Sequence, residues 1–80
     1  MNEERNAALS AVLTSAEKIF NRPIGPEENF FDLGGNSLAA LRLIALVRGE
    51  GFHFEVEDVF DLPDMRALAV GAVPTSDNLG

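Results

Sequence analysis

Residues Phe30 to Leu41 read FFDLGGNSLAAL. Gly34, Gly35 and Asn36 stand between a turn and a run with helical spacing, and Ser37 comes where that helix should begin. The run SLAALRLIALVR, residues 37–48, predicts a helix stopped by Gly49-Glu50-Gly51. With Ser37 at zero and about 100° per residue, Ala40, Leu43, Ile44 and Val47 cluster at roughly 240–340°. This is the stripe a helix buries. Leu38, Leu41 and Ala45 form a second stripe at about 40–100°. A helix apolar on both sides belongs inside a large protein, and a chain of 80 residues has no such interior. The second stripe is therefore expected to be exposed beside Ser37, flanked by Arg42 and Arg48, as a partner surface. The competing reading is that the loop before the helix covers it, Leu38 first.

That loop spans residues 21–36. It carries Pro23, Gly25, Pro26, Gly34 and Gly35, but also Ile24, Phe30, Phe31 and Leu33. So many large apolar groups predict an ordered loop packed on the core rather than a solvated linker. Before it, residues 3–20 predict a helix with Leu9, Val12, Leu13, Ala16, Ile19 and Phe20 on its apolar face, Asn2 as N-cap, and Asn21-Arg22-Pro23 as its end. After the second helix, Phe52, Phe54 and Val56 alternate with polar residues. A lone strand would have no partner, so an extended segment is expected, leading to a short helix over 56–60. Pro63 breaks the chain, and Asp64 caps a last helix over 65–70 that Gly71 ends. The tail VPTSDNLG is expected to fray. The resulting division is a domain over 1–73 and a flexible tail over 74–80.

Composition excludes several functions. The chain has no cysteine and one histidine, His53, which removes disulfides, thiol catalysis and Cys- or His-rich metal sites. No metal site is expected. A formal net charge of -7 argues against nucleic acid as a partner. No apolar run is long enough to span a bilayer and no signal-peptide pattern opens the chain, so no membrane role and a cytoplasmic location are expected.

Ser37 has three readings. It is a helix-end residue whose oxygen accepts a backbone N–H, although Asp32 and Asn36 are also placed to cap. It is a nucleophile in a near miss to G-x-S-x-G; but the preceding segment is a Pro/Gly-rich loop rather than a strand, the last position is Ala39, and the chain is too short for the surrounding sheet. Or it is a site of covalent modification by a phosphate-linked group. A helix N-terminus offers free N–H groups and a partial positive charge to a phosphodiester, and two glycines allow a sharp turn that leaves the hydroxyl uncrowded.

FFDLGGNSL closely resembles D-L-G-G-x-S-L, the phosphopantetheine attachment motif of carrier proteins. VEDVFDLPDMRALA resembles that family's closing segment, with Asp64 where the family often has Thr. The resemblance covers roughly residues 5–72. Gly35, Asn36 before the serine, and a second helix bearing Arg42 and Arg48 with no acid before Glu50 point to the peptidyl-carrier branch, the thiolation domains of nonribosomal peptide synthesis. The resemblance implies an all-α fold: a four-helix carrier bundle with a long ordered loop between the first two helices and a short third helix.

It also implies that Ser37 accepts 4′-phosphopantetheine from coenzyme A and that the arm's thiol holds an aminoacyl or peptidyl thioester. Asp32, Gly34, Gly35 and Asn36 would shape the turn. Leu38, Leu41, Arg42 and Ala45 would form the partner surface. The chain would hold no catalytic residue and would be no enzyme. Its partners would be a phosphopantetheinyl transferase, an adenylation enzyme, and condensation, thioesterase or tailoring enzymes of natural-product biosynthesis. Met1 directly before the domain suggests a free-standing protein, although a segment excised from a synthetase would look similar, and a monomer is expected. The alternatives are an acyl or aryl carrier of polyketide or fatty-acid type, and a helical module that binds noncovalently with Ser37 unmodified. His53 reads as a surface or boundary residue rather than a catalytic one, and Glu55, Glu57, Asp58, Asp61 and Asp64 as a solvated acidic stretch, with a site for a basic partner patch as the alternative.

Overall fold

The computed structural model describes residues 3–75. Four helices form the body: α1 Glu3–Phe20, α2 Ser37–Gly49, α3 Val56–Asp61 and α4 Met65–Gly71. α1 packs most extensively on α4 and α2, and α3 bridges α2 and α4. The expected helices are all present, each end within one residue of its expected place. The proposed cap Asn2 lies outside the described residues.

The helix boundaries follow from local chemistry. α1 stops because Asn21 turns left-handed, φ 57°, while its N–H still donates to Glu17 O; asparagine tolerates that conformation better than most residues. α2 stops because Gly51 takes φ 98°, with its N–H donating to Arg48 O. Gly49 itself remains helical. Asp64 caps α4 by accepting from Ala67 N–H at 2.9 Å, as its position before Met65 predicts.

The core joins Val12 and Ala16 of α1, Ile24 and Phe30 of the loop, Ala40, Leu43 and Val47 of α2, Phe54, Val59 of α3, and Met65, Leu68 and Ala69 of α4. Ala8, Ala11 and Ser15 of α1 are buried as well. These small residues fall outside the apolar face read from the large side chains.

The loop over residues 21–36 is ordered, as its apolar content predicts. Glu17 Oε2 accepts from Ile24 N–H at 3.1 Å and fixes its start to α1. Met65 and Arg66 N–H donate to Glu28 O and Pro26 O, fixing its middle to α4. A chain of aromatic rings follows. Phe20 meets Phe30 edge-on at 5.3 Å, Phe30 meets Phe31 edge-on at 5.4 Å, and Phe31 stacks on Phe60 of α3 at 5.0 Å. Such pairs add about 0.5–1.5 kcal/mol each beyond the area they bury.

Two expectations change. Phe52–His53 is a strand, β1, not an unpaired extended segment: it pairs antiparallel with β2, Val73–Pro74. The partner lies in the stretch read as a fraying tail. Thr75 N–H continues the attachment by donating to Gly51 O at 2.9 Å, so the start of that stretch is held to the end of α2. Residues 76–80 of the expected flexible tail lie outside the described residues.

Candidate functional site

The segment before α2 is built by Asn29. Its Oδ1 accepts from Phe31 N–H at 2.8 Å and Asp32 N–H at 3.0 Å, and its Nδ2 donates to Pro63 O at 2.8 Å. One side chain thus nucleates the turn and ties it to the α3–α4 junction. The chain coils through this turn, with Gly34 N–H donating to Phe31 O and Gly35 N–H to Phe30 O.

The two glycines have different jobs. Gly34 sits at φ 101° with open space around it, so its role is conformational. Gly35 has an ordinary φ, but a Cβ there would enter the Phe30 ring and lie 2.8 Å from Phe30 O. It is the seat on which the turn presses against the core, a reason the spacing of the motif does not reveal.

Asn36 is the N-cap of α2, and its Oδ1 accepts from Ala39 N–H at 2.9 Å. That relieves Ser37 of capping. Ser37 is the first helical residue, it is exposed, and among the described residues its hydroxyl takes no hydrogen bond. Asp32 is exposed and does not cap α2. No acid stands in the first turn of α2, so the positive end of the helix is not neutralised by its own side chains. The geometry is an uncommitted hydroxyl at a helix N-terminus, held by a rigid turn.

The apolar stripes of α2 separate as the wheel predicts. Ala40, Leu43 and Val47 are wholly buried and Ile44 half-buried, whereas Leu38 is 69% exposed and Leu41 54%. Ala45 and Arg42 are exposed with them. The loop does not cover this stripe, and Leu38, the residue expected to be partly covered, is the more open of the two leucines. α3 adds Phe60, 51% exposed and stacked on Phe31. The sequence reading missed Phe60 because helical spacing places it beside core-facing Val56 and Val59. Asn29 was also missed; an asparagine opening an Asx-type turn before F-F-D is the signal that would have found it.

The family model describing the phosphopantetheine attachment site matches residues 8–69. The chain belongs to that family. Its members are carriers that hold 4′-phosphopantetheine and are acted on by other enzymes. The chain is 50% identical over 46 residues to the nonribosomal peptide synthase roqA of Penicillium rubens, a match covering 58% of this chain and 2% of that protein. It is 38% identical over 64 residues to the nonribosomal peptide synthetase imqB of Aspergillus flavus, covering 80% of this chain and 2% of that one. The chain therefore spans about 2% of the length of these curated relatives.

A solved structure described as a non-ribosomal PCP domain superposes with a TM-score of 0.83 at 30% identity, covering 88% of this chain and 92% of its own. These findings bear out the resemblance to a peptidyl carrier protein, the non-catalytic role and the helical carrier fold. The residues at Ser37 suit the family's group: an exposed free hydroxyl, helix N–H donors behind it, and no carboxylate in the first turn to repel a phosphate. Among the described residues, no group of His, Asp and Glu is placed to hold a metal ion, and no helix is long and apolar enough to cross a membrane.

Proposed function

We propose that this carrier holds an aminoacyl or peptidyl group as a thioester on a phosphopantetheine arm at Ser37. The observation that carries the reading is the division of labour at the start of α2. Asn36 does the capping, which relieves the exposed Ser37 of that role. In the modification, Ser37 Oγ attacks the phosphorus of coenzyme A that bears pantetheine. The Oγ–P bond forms as the pyrophosphate bond breaks, the serine proton passes to the transferase, and adenosine 3′,5′-bisphosphate leaves. The arm supplies a terminal thiol for the thioester, and the chain supplies the attachment point and the surface that partners read.

That surface is Leu38, Leu41 and Ala45 with Arg42, supported by the exposure of two leucines on the side of α2 turned from the core. A transferase and an adenylation enzyme are the partners this reading requires. The peptidyl cargo is supported by the synthetase relatives and by the structural neighbour.

The test is loading of the phosphopantetheinylated protein, read by intact mass. One arm contains amino acids, ATP and amino-acid-activating enzymes from nonribosomal synthesis. The other contains malonyl and aryl activators. Thioester formation in the first arm supports the reading. Exclusive loading in the second would replace it with the acyl or aryl carrier alternative.

A further inference from the structure

His53 lies between two charged groups that belong to different helices. Arg48 Nη2, in the last turn of α2, is 3.0 Å from His53 Nδ1, and His53 Nε2 is 3.0 Å from Oε2 of Glu55, the N-cap of α3. The imidazole is half-buried, with 24% of its side chain exposed. A guanidinium has only donors, so Nδ1 must present its lone pair and Nε2 must carry the proton. Only the neutral Nε2–H imidazole makes both hydrogen bonds.

We propose that His53 is a proton-operated latch between the end of α2 and the start of α3. In the neutral form it spans the junction, accepting from Arg48 and donating to Glu55. A proton added at Nδ1 turns that nitrogen into a donor facing another donor, on a cation facing a cation. The Arg48 contact breaks, while the Glu55 contact persists as a charge-assisted bond. The other groups at the junction set the balance. Asp58 is held at the same helix start, its Oδ2 accepting from Glu55 N–H at 3.0 Å. The cross-strand neighbour from β2 is Val73, which carries no charge. The protonated ring therefore meets Arg48 on the α2 side and Glu55 on the α3 side, while Asp58 is engaged with the Glu55 backbone. Arg48 flanks the exposed stripe of α2, so the latch would also set where that base stands for a docking partner. This last consequence rests on the carrier reading; the latch does not.

The test uses the unmodified full chain. Long-range proton–nitrogen correlation spectra report the His53 tautomer, and amide spectra follow Arg48, Glu55 and Val56 as pH is lowered through the His53 titration. The expected result is a dominant Nε2–H tautomer in the neutral form, with all three amides shifting in step with the ring. In Arg48→Met the Nε2–H tautomer should persist, because Glu55 still accepts from it, while the residue-48 amide should no longer shift with the ring; His53→Gln should abolish the stepwise amide shifts, with helical circular dichroism retained in both. A dominant Nδ1–H tautomer, amides that ignore the ring, or amide shifts that survive in His53→Gln would overturn the latch. Because no partner or cofactor enters the experiment, its failure leaves the carrier reading where it stands.

Discussion

Replacing Gly35 with alanine tests how the turn before Ser37 is fixed. The added Cβ would sit 2.8 Å from the carbonyl oxygen of Phe30 and inside the edge of its ring. Phe30 cannot swing aside freely. It is 2% exposed and is held by Phe20 on one side and Phe31 on the other. The carbonyl is backbone, and it already accepts from Gly35 N–H at 3.1 Å, so relief requires the turn itself to lift. Overpacking of this kind costs about 1–3 kcal/mol. A chain of this size has roughly 4–12 kcal/mol in total at 0.05–0.15 kcal/mol per residue. At ~4–8 °C per kcal/mol, the expected fall in Tm is about 4–24 °C, read by thermal and urea denaturation of the two proteins side by side. Phe30→Leu in the same background should recover part of the loss, so that the two substitutions together cost less than their sum by at least ~0.5 kcal/mol. A Gly35→Ala protein within ~0.5 kcal/mol of wild type, or strict additivity with Phe30→Leu, would refute the close-packed seat.

Three further outcomes are expected. Asn36→Ala removes the acceptor for Ala39 N–H and should cost about 1 kcal/mol, whereas Ser37→Ala, which loses no hydrogen bond, should stay within ~0.5 kcal/mol; urea denaturation separates them. Leu41→Asp should leave Tm nearly unchanged, because that side chain is more than half exposed, while slowing thioester loading by partner enzymes at least about tenfold, a loss of ~1.4 kcal/mol; an unchanged loading rate on folded protein would remove Leu41 from the partner surface. The Glu28 carboxyl is held below its ordinary value, first by the hydrogen bond from Gly25 N–H and then by Arg22. A lowered acid stabilises the fold fully above its unfolded value, near 4.3 for Glu, and loses that contribution as pH falls through its folded value. The stability gap between wild type and Glu28→Gln should therefore close on acidification below about pH 4 and stay constant from pH 6 to 8; a gap independent of pH would contradict it.

What the sequence made legible was whatever depends on near neighbours. Asp64 before Met65, asparagine and proline after Phe20, and glycine after Glu50 each act within a turn of their helix, so the helix boundaries could be read. The separation of Leu38 and Leu41 from Leu43 and Val47 also needed only the helical repeat and the small size of the chain. Three features were hidden because they depend on distant partners. β1 needs Val73–Pro74, which lie beyond α4 in the chain and pair with it antiparallel. Gly35 needs the Phe30 ring, whose position is set by Phe20 and Phe31. Phe60 shares the apolar spacing of α3 yet is half-exposed on Phe31. At the candidate site itself, the pattern put Ser37 at the helix start but left Asp32 and Asn36 both as caps. The choice of Asn36 is a matter of one hydrogen bond to Ala39 N–H.

The most direct measurement is intact-protein mass spectrometry after incubation with coenzyme A, magnesium and a broad-specificity phosphopantetheinyl transferase, with Ser37→Ala in parallel. The account predicts the gain of one phosphopantetheine on wild type and none on Ser37→Ala, whose fold is unchanged. A gain on both proteins would place the attachment elsewhere, and no gain on folded wild type with a transferase active on a control carrier would contradict Ser37 as the attachment point.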